Sequence, residues 1–366
     1  MAILWFDGFD DYATKNNTAT GMQVGGWVIA GNTSGSTPTG LAQRQPDSGV
    51  NNRALLYSNP TSSFVQDEVD LGSNYTALGG GAIYYANVVS WDWYNATLKG
   101  ERILAWYDSA RVYQCELVLD FHGRFHFCRG STILASSPFG DYALFKQAQV
   151  HGIEWEIEFS QTVGEFRLWI DNVEIINATG LDNCDTANAN CRYVRSSVSN
   201  GLDSDWYTDD FYITDGARLG SSATSGNPVC ISLHPDSDGG VNVWTASTGT
   251  DEFAMVDDLT SDTDSTYNQT STVGDESRHG CEALPSWVTD VLAVGAIAWL
   301  RKTDATARSA RVLINSNSVE SLGTTLTLAT TYSGSRIPVL ETDPDTAAAW
   351  TLAAVNALEV GYEVVS

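Results

Sequence analysis

Apolar and polar residues alternate along much of this chain with the two-residue period of strands, not the 3.6-residue period of helices. In Ile153-Glu154-Trp155-Glu156-Ile157-Glu158-Phe159 apolar side chains hold every odd position and carboxylates every even one. A strand so patterned buries one face. Glu165-Phe166-Arg167-Leu168-Trp169-Ile170 follows, then Asp171-Asn172, then Val173-Glu174-Ile175. Two residues of turn chemistry between alternating runs predict a tight hairpin. Further strands are predicted over 25–30, 53–58, 82–89, 102–107, 112–119, 124–129 and 206–213. So many strands, separated by turn signals, point to a β-sandwich and away from a parallel sheet with crossover helices.

The pattern lapses after Ile213. Residues 214–226 hold few side chains able to fill a core, which places a first domain at 1–215, a linker at 216–227 and a second domain at 228–366. In the second domain strands are predicted over 229–233, 241–245, 288–302, 310–314 and 323–332. One helix is predicted over 347–358, with Asp345-Thr346 as its cap, Trp350, Ala353, Ala354 and Ala357 on one stripe, and Gly361 as its end. The fold class is all-β: a sandwich, then a second β-sandwich domain carrying one short helix.

Composition agrees and adds exclusions. Of 366 residues 45 are acidic and 19 basic, a formal charge of −26. Such a field repels polyanions, so neither nucleic acid nor an anionic membrane is an expected partner. Only 17% of residues are charged; Ser, Thr, Asn, Asp and Gly take their place and suit turns and edge strands. The N-terminus shows no basic region followed by an apolar one, and the longest apolar run, 291–300, is half what a membrane-spanning helix needs. The expectation is a soluble protein not exported by the general route.

Six cysteines sit at Cys115, Cys128, Cys184, Cys191, Cys230 and Cys281. They read either as neighbour-pair disulfides or as buried free thiols. Cys115 and Cys128 flank a hairpin tip that would leave them on one face of two paired strands, a diagonal apart.

The chain opens with Trp5-Phe6-Asp7-Gly8-Phe9-Asp10, and its first domain closes with Trp206-Tyr207-Thr208-Asp209-Asp210-Phe211-Tyr212-Ile213. With the Trp-Glu-Ile-Glu-Phe strand and the hairpin between them, this resembles the concanavalin A-like lectin/glucanase jelly rolls (LamG-like domains) found in bacteriophage and prophage proteins. The resemblance implies a two-sheet sandwich whose first and last strands pair near the middle of a sheet. Later segments, among them Cys230-Ile231-Ser232-Leu233-His234-Pro235, Val243-Trp244 and Asp343-Pro344 through Trp350-Thr351, look like the module that follows such jelly rolls in phage structural proteins.

Concanavalin A-like glucanases carry two catalytic carboxylates on one strand in the pattern Glu-x-Asp-x-x-Glu. Here Glu154, Glu156 and Glu158 are spaced Glu-x-Glu-x-Glu, and the reading is a solvated strand face. Trp91, Trp93 and Tyr94 form the densest aromatic cluster and are the candidate carbohydrate-binding residues, since pyranose faces stack on such rings. The same spacing also suits a sandwich core or a subunit interface. Acidic turns at Asp236-Ser237-Asp238-Gly239 and from Asp257-Asp258 to Asp264 hold oxygens that calcium can take, although EF-hand spacing is absent and Asp-Gly is ordinary turn chemistry. No other cofactor is expected. His122 and His126 lie across a hairpin tip with no Ser or Cys partner in a strained elbow, so no nucleophile site is read there.

The expected function is that of a non-enzymatic structural protein on the surface of a tailed-phage virion, a capsid decoration or a tail or fibre component. Its partners would be other virion proteins and a host-surface glycan, and its assembly a homotrimer. The alternative is a carbohydrate-binding or glucanase-like module acting on polysaccharide.

Overall fold

The structure is a computed structural model that describes residues 1–7, 27–29, 40–43, 53–57, 65–86, 101–120, 123–138, 150–198, 206–221, 228–258 and 264–366. They fall into two compact units divided between Cys230 and Ile231.

The described strands of the first unit are β1 (Ile3–Asp7), β2 (Trp27–Ile29), β3 (Gly40–Gln43), β4 (Arg53–Tyr57), β5 (Val65–Tyr75), β6 (Ala77–Ala86), β7 (Glu101–Tyr107) and β8 (Tyr113–Leu119). They continue with β9 (Phe125–Arg129), β10 (Thr132–Ser136), β11 (Val150–Glu158), β12 (Gly164–Ile170), β13 (Val173–Leu181), β14 (Cys191–Val198) and β15 (Trp206–Thr214). One antiparallel sheet has the order β13-β12-β11-β6-β15-β4-β3, with β1 also on β15; the other has the order β10-β9-β8-β7-β14-β5-β2. The chain switches sheets repeatedly, as jelly-roll winding requires. Its first and last strands pair inside a sheet, with Phe6 opposite Tyr212.

Aromatic rings fill the space between the sheets. Trp155 of the first sheet meets Trp106 of the second edge-on at 5.1 Å, and Phe166 stacks on Phe127 at 4.0 Å. All four are fully buried, and each such pair contributes about 0.5–1.5 kcal/mol beyond its buried area. Gly80 lies opposite Trp155 in the register, and a Cβ there would strike the indole ring. Alternation then sends Glu154, Glu156, Glu158, Arg167 and Trp169 to the outer face of the first sheet. The hairpin after β12 turns at Asp171 and Asn172, whose φ values of 49° and 65° match a type I′ turn.

Two expectations need correction here. The register sets Cys128 opposite Glu116, so Cys115 points to the other side of the sheet from Cys128 and the one-face diagonal does not form. All six cysteines are free; burial pushes the Cys184 thiol up to about 11, and inert buried thiols behave in this way. Residues 216–221, read as linker, belong to the first unit in the structure: Arg218 and Leu219 are buried, and 219–221 form a 3-10 turn.

The second unit is built on a sheet ordered Pro235–Asn242, Glu276–Cys281, Glu359–Val364, Ser309–Ser316, Val319–Leu322. One face carries Val312 and Ile314, covered by Ile337, Trp350, Val355 and Leu358. The other carries ion pairs such as Arg278–Glu320 and Arg311–Glu363. The helix, α1 (Leu352–Val355), is one turn capped by Thr351, not the 347–358 span predicted. The Asp343 carboxylate accepts from the Asp345 amide and the Thr346 hydroxyl, and Ala347 adopts φ 54°, so a turn forms where the helix was expected. Gly361 lies in the last strand. Of 288–302 only Ile297–Leu300 is a strand; Val291 and Val294 instead pack on the core as irregular chain. Residues 229–233 are irregular, the strand expected at 241–245 is divided between the end of Pro235–Asn242 and the start of Thr245–Ala246, and 323–332 keeps only Leu326–Thr327.

Candidate functional site

The outer face of the second sheet concentrates planar polar side chains. Register places Tyr193 of β14 between Tyr107 of β7 and Asp70 of β5, and Arg195 between Ala105 and Glu68. Tyr113 of β8 pairs with Tyr107, the rings edge-on at 5.9 Å. Four guanidiniums lie over these rings: Arg195 at 3.8 Å from Tyr107, Arg111 at 4.7 Å and Arg192 at 5.3 Å from Tyr193, and Arg102 at 5.7 Å from Tyr113. Each also holds a carboxylate. Arg195 Nε donates to Glu68 Oε2 at 2.7 Å, Arg102 Nε to Glu116 Oε2 at 2.6 Å, and Arg192 binds both oxygens of Asp70 at 2.8 and 3.0 Å.

Electrostatics follow this geometry. Burial alone would raise the Asp70 carboxyl, but the Arg192 and Gly72 hydrogen bonds and the charges of Arg192 and Arg111 outweigh it and hold the group below its usual range. Burial pushes the Tyr113 phenol well up, and the neighbouring Glu116 charge adds to the effect. Stacking and pairing together fix the rotamers, so the face presents donors and acceptors that are already ordered.

Arg111 reaches the face from a turn. The Asp108 carboxylate accepts from the Ala110 and Val112 amides at 2.9 and 2.8 Å and from Asn188 Nδ2 at 2.9 Å. The turn forces Arg111 to φ 60°, a left-handed conformation costly for a residue with a Cβ. Its guanidinium lies 3.1 Å from Glu68 Oε1 while its side chain stays 50% exposed. Glu68 is fully buried and already held by Arg195, so Arg111 is the group here most able to turn to a ligand.

The same face continues to the sheet edge, where alternation from Phe127 puts His126 outward. His126 Nδ1 lies 2.7 Å from Ser136 Oγ on β10, its cross-strand partner, and Nε2 lies 2.9 Å from Asp120 Oδ2. Asp120 Oδ1 accepts from the Arg124 amide at 2.9 Å. The sequence offers His126 no Ser or Cys partner in a strained elbow; the register of β9 and β10 sets Ser136, on a regular strand ten residues away, against it.

The outer face of the first sheet uses similar residues to a different end. Glu154 accepts from the Tyr212 hydroxyl, the Arg218 guanidinium and the Gly220 amide, and is 2% exposed. Glu156 accepts from the Arg218 amide at 3.0 Å and from Arg167 at 3.3 Å. The Arg218 and Arg167 guanidiniums lie over Trp169 at 4.3 and 4.7 Å. Glu158 alone of the three is exposed. The solvated face expected for Glu154, Glu156 and Glu158 is thus mostly covered, because residues 216–221 fold over it.

The aromatic candidates Trp91, Trp93 and Tyr94 lie outside the described residues, as does His122. Of the acidic turns, Asp238 accepts from the Phe253 amide at 2.7 Å, and Asp264 pairs with Arg301. Among the described residues no three of His, Cys, Asp or Glu are grouped to hold a metal ion, and no helix is long and apolar enough to cross a membrane. Sequence reasoning missed the arginine-tyrosine face. Its trace is the run Arg192-Tyr193-Val194-Arg195, together with Arg102 and Tyr107 at the two ends of one predicted strand.

No protein-family model matches the chain, and no curated protein matches it. Solved structures do. A variant of alginate lyase Aly36B in complex with an alginate trisaccharide has a TM-score of 0.38 and 9% identity over 57% of this chain and 96% of that one. The Emp46p carbohydrate recognition domain, in its metal-free form, gives 0.33 and 9% over 58% and 99%. The binding domain of botulinum neurotoxin serotype D gives 0.35 and 8% over 52% and 43%.

Proposed function

We propose that the first unit is a carbohydrate-binding module, and that its setting is the surface of a virion. The observation that carries the binding reading is the outer face of the second sheet, where Arg102, Arg111, Arg192 and Arg195 are held flat over Tyr107, Tyr113 and Tyr193. Sugars present vicinal hydroxyls that paired donors and acceptors can bridge, and a face ordered before binding loses little entropy on meeting them. Although each is paired with a carboxylate of the face, Arg111 and Arg192 keep half and a third of their side chains exposed and so still have donors to offer.

Glycosidase chemistry by the Glu154 strand is not part of this reading. Both Glu154 oxygens already accept hydrogen bonds from the chain itself, so that carboxylate is committed to the fold rather than to a glycosidic oxygen. The virion setting rests on the sequence motifs alone, and a trimer would suit it.

Affinity electrophoresis through gels containing individual polysaccharides tests the binding. The wild-type chain is expected to be retarded by at least one polysaccharide, and the Arg111→Ala/Arg192→Ala double variant to bind about tenfold more weakly. Equal retardation of the two would remove the face as the site. Mass spectrometry of purified phage particles carrying this gene tests the setting.

A further inference from the structure

We propose that Ser136, His126 and Asp120 form a hydrolytic triad for carboxylic esters, and that its substrates are O-acylated glycans held on the adjoining arginine-tyrosine face. The ester chemistry stands independently; the glycan half rests on the binding reading above.

The three side chains form one directed chain. Asp120, ionised, can only accept, so the 2.9 Å contact gives the imidazole proton to Nε2. The lone pair on Nδ1 then faces the Ser136 hydroxyl at 2.7 Å. This is the nucleophile, base and orienting carboxylate of acyl transfer, with the two ring nitrogens exchanged from the usual order. Burial is graded: Asp120 and His126 are buried, while Ser136 is partly buried on an edge strand. The Arg124 amide fixes the far oxygen of Asp120, and the Arg124 guanidinium donates to the Ser137 carbonyl at 3.1 and 3.2 Å. Arg124 thus holds the chain on either side of the triad, at the Asp120 carboxylate and at the carbonyl of the residue after Ser136. Hydrogen bonding within a sheet does not require this set, since the cross-strand pair is already held by its backbone ladder.

In the reaction Ser136 Oγ attacks the ester carbonyl carbon as its proton passes to His126 Nδ1. The tetrahedral intermediate breaks its bond to the leaving oxygen, which takes that proton and departs as the alcohol. Water then attacks the acyl-serine, giving a proton to His126. The acyl-oxygen bond to Ser136 breaks, the proton returns to Oγ, and the carboxylic acid leaves. Asp120 is a positioning residue throughout.

The test uses the full chain with a fluorophosphonate probe and with p-nitrophenyl acetate. Expected are a phosphonyl adduct that peptide mass spectrometry places on Ser136, and p-nitrophenol release that falls at least about a hundredfold in Ser136→Ala. His126→Gln should abolish the adduct, and Asp120→Asn should lower kcat with KM unchanged, a split that a purely structural role would not give. Unchanged thermal melting of Ser136→Ala keeps the comparison valid. Absence of the Ser136 adduct, an adduct that persists in His126→Gln, or release equal to that of Ser136→Ala would overturn the triad. Acetate release from acetylated xylan that falls about tenfold in Arg111→Ala supports the glycan half. Turnover of p-nitrophenyl acetate with acetate release unaffected by Arg111→Ala would overturn that half and leave the triad standing.

Discussion

The two outer faces of the first unit are made from the same kinds of residue and end in opposite states. On the first sheet, Arg218 comes from a segment 62 residues beyond Glu156 and closes over the carboxylates, and the Tyr212 hydroxyl, the Gly220 amide and Trp169 complete the seal. On the second sheet, Arg111 and Arg192 lie over Tyr193 with half or a third of their side chains exposed. A sealed ionic cluster has spent its hydrogen bonds on the fold. An open one of equal order still has faces to offer a ligand. Charge and aromaticity do not distinguish the two faces, whereas the solvent access of Arg111 and Arg192 does.

The largest expected effect is on the sealed face. Glu154→Ala leaves Arg218 buried without its carboxylate and should destabilise the first unit by about 3–5 kcal/mol, measured by urea denaturation followed by tryptophan fluorescence. A change below about 1 kcal/mol would mean that the segment at 216–221 is not a seal.

The second unit holds a sealed cluster that titrates. Asn268 Nδ2 donates both to the Glu252 carbonyl and to the Tyr362 hydroxyl, so the Tyr362 proton goes to His279 Nε2 at 3.0 Å. Burial pushes the His279 imidazole down from 6.5 to about 4, opposed by the charges of Asp238 and Glu359. In this window the unfolded chain binds the extra proton. The stability is therefore complete above pH 6.5 and is lost as pH falls toward 4, by up to about 3 kcal/mol. Tyr362→Phe removes the phenolic proton that His279 accepts and should make the loss shallower between pH 6 and 4 in thermal melts.

On the open face the expectation reverses. Arg111→Ala should change stability by less than about 1 kcal/mol, because Glu68 keeps Arg195. The same variant should weaken polysaccharide retardation several-fold, and a stability loss as large as that of Glu154→Ala would erase the contrast between the faces. The smallest effect is that of Asp70. Its folded carboxyl titrates below the ordinary value of 3.8, so the Arg192 pair contributes above that pH and is lost as pH falls further. For a pair this exposed the contribution is under about 1 kcal/mol, readable as a small acid-side difference between wild type and Asp70→Asn.

The outcome at particular residues marks what pattern reading reaches. The hairpin at Asp171-Asn172 and the inward set Ile153, Trp155 and Ile157 were legible because strand period and turn chemistry are local properties. The helix at 347–358 failed because Asp343 offers the backbone a competing turn, a choice that propensity does not weigh. The approach of Ser136 to His126 is not legible in the sequence, because the two meet only through the register of β9 and β10. Glu154 was read as solvated because alternation reports which side of its own sheet a residue takes, and is silent about what other chain lies on that side.

By itself, then, the sequence determined the all-β class, the strand alternation, the tight hairpin and the strong acidity, since each depends on neighbours within a few residues. Only the tertiary structure decided which outer face is closed and which is open, and that Ser136, His126 and Asp120 form one hydrogen-bonded chain. Those outcomes depend on cross-strand register and on a distant segment folding back, and the free energy of both is set by contacts that exist only once the sheets have formed.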